Sequence, residues 1–190
     1  MVDCHFYAKT AANSGLIGTP YETMDCQAFV EKTLALVGVK HNWKGSNDQW
    51  RNALSWKGTI DECLEKFGCI PDGAWLFTIK HDGKEPSYYT DGVNASHVGL
   101  YVGAYGEEPV MHSTTGGVQW GKWPDSKRWT HVGLEKDISY NMDDEVDSAE
   151  AFNKAIEIVD KLKGLTTYLE NLISDDCKKL LDELENMGHG

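Results

Sequence analysis

Apolar positions along this chain recur in two rhythms. Phe29, Val30, Thr33, Leu34 and Val37 keep helical spacing, and a shorter helix is predicted from Phe6 to Asn13 before the glycine-containing break at 15–18. Trp50 and Leu54, then Ile60, Cys63, Leu64 and Phe67, also keep helical spacing across the interruption at Lys57-Gly58, which predicts two further short helices. From Ile70 the period changes. Ile70-Pro-Asp-Gly73 signals a turn, and Ala74 to Ile79 reads as a short buried strand. A polar loop over 80–95 leads to Ser96-His-Val-Gly-Leu-Tyr-Val-Gly103, which sets Val98, Leu100 and Val102 on one face and His97, Gly99 and Tyr101 on the other.

Pro109 to Ser113 reads as the antiparallel partner of that strand, and Trp129 to Leu134 as a third strand of the same meander. A turn centred on Tyr105 and Gly106 places His112 opposite Gly99 and diagonal to His97 on one face. A slip of one residue would send His112 to the other face. A helical first half followed by a small antiparallel sheet is an α+β domain, assigned to residues 1–142.

From Asp147 the helical rhythm returns. Asp147-Ser-Ala-Glu150 has the form of a capping box, followed by a stripe of Phe152, Ala155, Ile156, Val159 and Leu162 that continues to Ile173. A second helix is predicted from Ser174 or Asp175, using Cys177, Leu180, Leu181 and Leu184. Residues 143–190 thus form a C-terminal helical segment. Its stripe over 147–187 folds back on the domain, mediates homo-oligomerisation or joins a neighbouring protein; the spacing does not choose among these.

The turn before the helix at Phe29 carries the chemistry. In Thr19-Pro-Tyr-Glu-Thr-Met-Asp-Cys-Gln-Ala-Phe-Val30, Asp25 suits the N-cap, Met24 and Phe29 stand as a hydrophobic staple, and Cys26 falls on the first helical residue. The positive end of the helix dipole favours thiolate there, the nucleophilic form, although the Asp25 charge opposes it. A histidine partner is therefore required.

Composition removes several alternatives. The 190 residues are 41% hydrophobic and 25% charged, enough for one globular domain with a modest addition. A net charge of −12 without a Lys/Arg cluster argues against nucleic acid and against anionic lipid. No apolar run approaches the roughly 20 residues of a membrane span. Met1-Val-Asp-Cys-His-Phe6 has neither a basic nor an apolar leader region, so no signal peptide is expected. Five cysteines at irregular spacing argue against a disulfide framework. The gap between Cys63 and Cys69 is not that of a zinc knuckle, so these thiols, with Cys4 and His5, are not expected to hold metal. No cofactor is expected either. The seven tryptophans, Trp43, Trp50, Trp56 and Trp75 among them, are read as core and rim packing before any role in sugar stacking.

Thiol catalysis needs a nucleophile, a histidine that takes and returns its proton, and a group that orients the histidine. Cys26, His97 and His112 supply these types in the order and contexts that a sheet could bring together.

The blocks Tyr21 to Val30, Ile70 to Phe77, Ser96 to Gly103 and Val110 to Ser113 together resemble the NlpC-type papain-like cell-wall endopeptidases, in the form found in phages and prophages. The resemblance spans about residues 5–140. It implies a papain-like fold with the cysteine at a helix start packed on a small antiparallel sheet. The implied reaction is cleavage of an amide in a peptidoglycan stem peptide, commonly between γ-D-glutamate and the diamino acid. Cys26 would be the nucleophile, His97 the base and then the leaving-group acid, and His112 the orienting residue. Asp25 and Ser96 would bind the amine end of the stem peptide, and Tyr21 would face the oxyanion or the substrate. Gln27-Ala28 stands where the family commonly has Ser-Gly. Without a leader, such a protein would reach the wall through lysis, a holin or a phage particle. The alternative is a phage structural or assembly module, weak or inactive as a catalyst, that associates through its C-terminal helices.

Overall fold

A computed structural model describes residues 1–125, 127–140, 161–163 and 166 of the chain. The chain divides into two units, Met1–Met142 and Asp143–Gly190. In the second, residues 161–163 and 166 are helical, and the Thr166 hydroxyl donates to the Leu162 carbonyl at 3.0 Å. The capping box at 147–150 and the stripe from Phe152 to Leu184, apart from Leu162, lie outside the described residues.

The first unit combines helices with a six-stranded antiparallel sheet. Helix α1 (Cys4–Ala12) begins where the Asp3 carboxylate accepts from the Phe6 amide, and α2 (Cys26–Leu36) where Asp25 accepts from the Ala28 amide, each at 2.8 Å. An N-cap of this kind satisfies one of the donors that a helix start leaves without an intrahelical partner. The expected α2 therefore has the expected first residue. It stops at Val37, followed by Gly38 at φ +84°. Helix α3 (Ser46–Asn52) follows, and α4 (Ile60–Phe67) opens with a reciprocal capping box between Thr59 and Glu62.

The strands are β2 (Leu54–Thr59), β3 (Trp75–Lys80), β4 (Asn94–Tyr101), β5 (Val110–Thr114), β6 (Gly117–Gly121) and β7 (His131–Glu135), in the spatial order β2-β7-β3-β4-β5-β6. Two short strands, β1 (Val2–Asp3) and β8 (Ile138–Ser139), pair in parallel. Alternation along β3 shows how the faces are used. Trp75, Phe77 and Ile79 join a core with Tyr7, Phe29, Leu34 and Trp50 from α1 to α3, whereas Leu76 joins a second core with Cys63 of α4, Trp129 and Val132. Trp43, Trp50, Trp75 and Trp129 are all core residues.

Two expectations fail. Leu54 to Thr59 is a strand and not part of a helical pair, because Leu54 satisfies both rhythms and Ser55, Lys57 and Thr59 alternate with Leu54, Trp56 and Gly58. The segment at Trp129 to Leu134 does not extend the β4–β5 meander. That place belongs to β6, and β7 returns across the sheet to lie between β2 and β3. The β4–β5 register holds as expected, with Gly99 paired to His112.

Candidate active site

The β4–β5 ladder runs Tyr101 to Val110, Leu100 to Met111 and Gly99 to His112, and ends there. At this fork the segment before α2 supplies partners to both strands. The Ser113 hydroxyl donates to the Met24 carbonyl. The backbone amide of Val98, one residue past His97, lies near enough to the Cys26 sulfur, at the start of α2, to lower its pKa. The preceding loop is fastened to β6, since the Gly18 amide donates to the Val118 carbonyl at 2.8 Å and the Val118 amide to the Thr19 carbonyl at 2.9 Å. A Cβ on Gly117 would stand 2.5 Å from the Thr19 carbonyl oxygen, so only glycine allows this close approach.

His97 and His112 project from one face, and His97 Nε2 lies 2.9 Å from His112 Nδ1. The diagonal relation expected from the register is realised as a direct hydrogen bond. Behind them, the Trp129 indole stacks on the His97 ring at 5.4 Å with 20° between planes, and meets the His112 ring edge-on. Glycines make the room. A Cβ on Gly99 would come within 2.6 Å of the Trp129 ring, and one on Gly121 within 3.1 Å of His112 Nε2.

Among the described residues no hydrogen bond joins the Cys26 thiol to either imidazole. Burial pushes the thiol above its ordinary value; the Val98 amide pulls it down, Asp25 adds to the rise, and the first amides of α2 oppose it. Burial thus outweighs the helix start, whose dipole was not expected to suffice by itself. Burial also lowers His97 to about 3, helped by His112 and Arg128. His112 is lowered to about 4 by burial and Arg128, against Asp125. At neutral pH the resting groups are a thiol and two neutral imidazoles.

The remaining expected site residues take separate places. Tyr21 is exposed, and its hydroxyl lies in the field of Cys26 and Asp25, which together with burial raises its pKa. Asp25 spends one carboxylate oxygen on the Ala28 amide. The Ser96 hydroxyl donates to the Thr78 carbonyl at 3.1 Å and lines a cleft of about 450 Å³ with His97, Lys80, Asp125, Lys127 and Arg128. Three cations against one carboxylate make this cleft locally positive on a chain of net charge −12.

No protein-family model matches this chain, and no curated protein does.

Sequence reasoning passed over Trp129 as the support of the imidazole pair, over Ser113 as the anchor of the segment before α2, and over Arg128. A signal existed for the room they need: Gly99 and Gly121 are isolated glycines in strands, a mark of close approach. The Cys63 thiol points inward, 3.5 Å from the Cys69 carbonyl oxygen. Among the described residues the one His/Cys/Asp/Glu group with metal-ligand spacing is His41, Glu135 and Asp137, and it contains none of the expected site residues.

Proposed function

We propose that this chain is a cysteine hydrolase that cleaves amide bonds of bacterial cell-wall stem peptides, at the linkage of γ-D-glutamate to the diamino acid, on a papain-like arrangement of helix and sheet. The observation that carries the reading is the hydrogen-bonded His97–His112 pair at the strand fork where the Cys26 thiol meets the Val98 amide.

The tautomer in which His97 Nε2–H donates to His112 Nδ1 leaves Nδ1 of His97 with a free lone pair. Because the thiol is held protonated, attack is coupled to proton transfer. Sulfur adds to the amide carbon as the thiol proton passes to His97 Nδ1. The backbone N–H of Cys26, on the first residue of α2, is among the amides with no intrahelical partner and is a donor for the oxyanion. Collapse breaks the C–N bond, and the amine leaves with the proton from His97. Water, deprotonated by His97, then hydrolyses the thioester and restores the thiol. His112 holds the imidazole in line as a neutral acceptor.

The substrate class is supported by the cleft beside His97. A γ-linked glutamate keeps a free α-carboxylate on the acyl side of the scissile bond, at the far end of its side chain, and Lys80, Lys127 and Arg128 offer complementary charge.

The test is incubation of the purified chain with synthetic stem peptides that carry the γ-D-glutamyl bond, read by amine release and mass. Cleavage at that bond, absent from a folded Cys26→Ala variant, is expected. Cleavage by Cys26→Ala at the wild-type rate would overturn the mechanism. A folded wild-type chain that hydrolyses no stem-peptide amide would favour the assembly module.

A further inference from the structure

A second group of side chains has no part in the proposed hydrolysis. His41, in the connection between α2 and α3, meets the β7–β8 turn. Its Nε2 lies 2.7 Å from Asp137 Oδ2 and 3.8 Å from Glu135 Oε1. One donor atom from each of the three residues falls within 4.8 Å of the others. The Glu135 side chain is wholly buried, at 0% exposure. One of its oxygens accepts from the Asp137 amide at 2.7 Å, while Oε1 has no hydrogen-bond partner among the described residues. A buried carboxylate oxygen without a partner is costly. Here it is aimed at an imidazole nitrogen and lies beside a second carboxylate.

We propose that His41, Glu135 and Asp137 form a binding site for a divalent transition cation of the zinc type. One imidazole nitrogen and two carboxylate oxygens are a donor set that zinc accepts, and two carboxylates balance its charge. Bond lengths of about 2.0–2.2 Å place tetrahedral donors roughly 3.4 Å apart. The observed separations bracket that value, so side-chain adjustment alone closes the site. Calcium would want six to eight oxygens, which this group does not offer. His41 and Asp137 also line a cleft of about 290 Å³ with Val39 and Lys40, from which water would supply a fourth ligand. Lys40 and Lys136 are cations nearby; both are exposed, and the Lys136 ammonium donates to the Asn52 carbonyl at 3.4 Å.

The site would act as a clip. The His41 ring stacks on Trp43 at 4.3 Å. Trp43 in turn packs edge-on against Trp75 of β3 and bonds through its backbone to Gln27 and Glu31 of α2. A cation on His41 would therefore fix the connection that braces the cysteine-bearing helix. This inference does not rest on the hydrolase reading.

The experiment is titration of the metal-free full-length chain with Zn²⁺ against a chromophoric chelator, and with Co²⁺ read by absorption. Five cysteines and the His97–His112 pair are competing sites, and Co²⁺ separates the thiolates because they give a near-ultraviolet charge-transfer band that an imidazole-carboxylate set lacks. One equivalent bound at micromolar affinity or tighter, without that band, is expected. Glu135→Gln and His41→Gln should each weaken it at least about tenfold, the scale on which even supporting contacts of metal ligands act. No saturable equivalent, a thiolate band at the first equivalent, or affinity unchanged in either variant would overturn the site. Should Glu135→Gln not fold, the partly exposed His41→Gln decides the matter by itself.

Discussion

The indole of Trp129 lies almost parallel to the imidazole of His97, and it is itself 1% exposed. It is part of the cover that keeps water from both histidines, and burial is the chief cause of their lowered basicity. In Trp129→Leu, His97 should titrate closer to its ordinary 6.5, followed by NMR of the ring protons against pH. Trp129→Phe should keep a flat ring and most of the depression. A folded Trp129→Leu protein whose His97 titrates as in wild type would assign the burial to other neighbours.

Cys26 differs from its expected chemistry in a way that alkylation can read. A buried thiol with a raised pKa reacts through its small thiolate fraction. Iodoacetamide labelling of Cys26 in the free protein should therefore be slower than that of a model thiol at pH 7 and should climb only in the alkaline range. His97→Ala should change this profile little, because in the proposed mechanism the proton moves to His97 only during attack on substrate. A plateau of fast labelling well below the reference thiol pKa of about 8.5 would instead reveal a standing thiolate–imidazolium pair.

Acid stability follows from the same groups. Between about 6.5 and their values near 4 and 3, the two histidines bind protons in the unfolded chain and not in the folded one. Their contribution is complete above about pH 6.5 and is lost on acidification, at up to about 1.4 kcal/mol per pH unit for each imidazole. Glu135 works in the opposite sense. Burial holds its carboxyl up to about 7, from 4.5, so the folded state takes the extra proton and loses stability as pH rises through that window. Urea denaturation of the metal-free chain should show both. The profile below pH 6 should flatten in a His97→Gln, His112→Gln double variant. Glu135→Gln should gain stability at pH 8 relative to its change at pH 5. Identical profiles in all three proteins would remove these groups as the source.

Much of the arrangement was legible where local signals agreed. Asp25, Cys26 and the stripe through Leu34 fixed the start of α2 together. The spacing from Gly99 to His112 fixed the hairpin register and hence the contact of the two imidazoles. Leu54 misled because a single apolar residue serves a helix and a strand equally, and the alternation of Ser55 to Thr59 was too short to outvote it. The place of β7 was hidden for a different reason. Its partners lie between 54 residues away, at Phe77–His131, and 81, at Leu54–Glu135, and no local pattern records which place a returning strand will take. The burial of Cys26, a tertiary property that exceeds the helix-start effect, was not legible in the sequence.

The strand order also carries a history of assembly. β2 and β3 are made early, yet neither is bonded to the other, and the strand that joins them is the last of the six along the chain. A nascent chain that ends before His131 would carry both as unpaired edges, the kind of surface that templates aggregation. Long-range closure of this sort slows folding. The anchoring of the 18–24 loop by Ser113 and Val118 means that the cysteine, though synthesised early, has no strand fork to enter until β5 and β6 have emerged. The cysteine at residue 26 thus gains its setting only after some ninety further residues are in place.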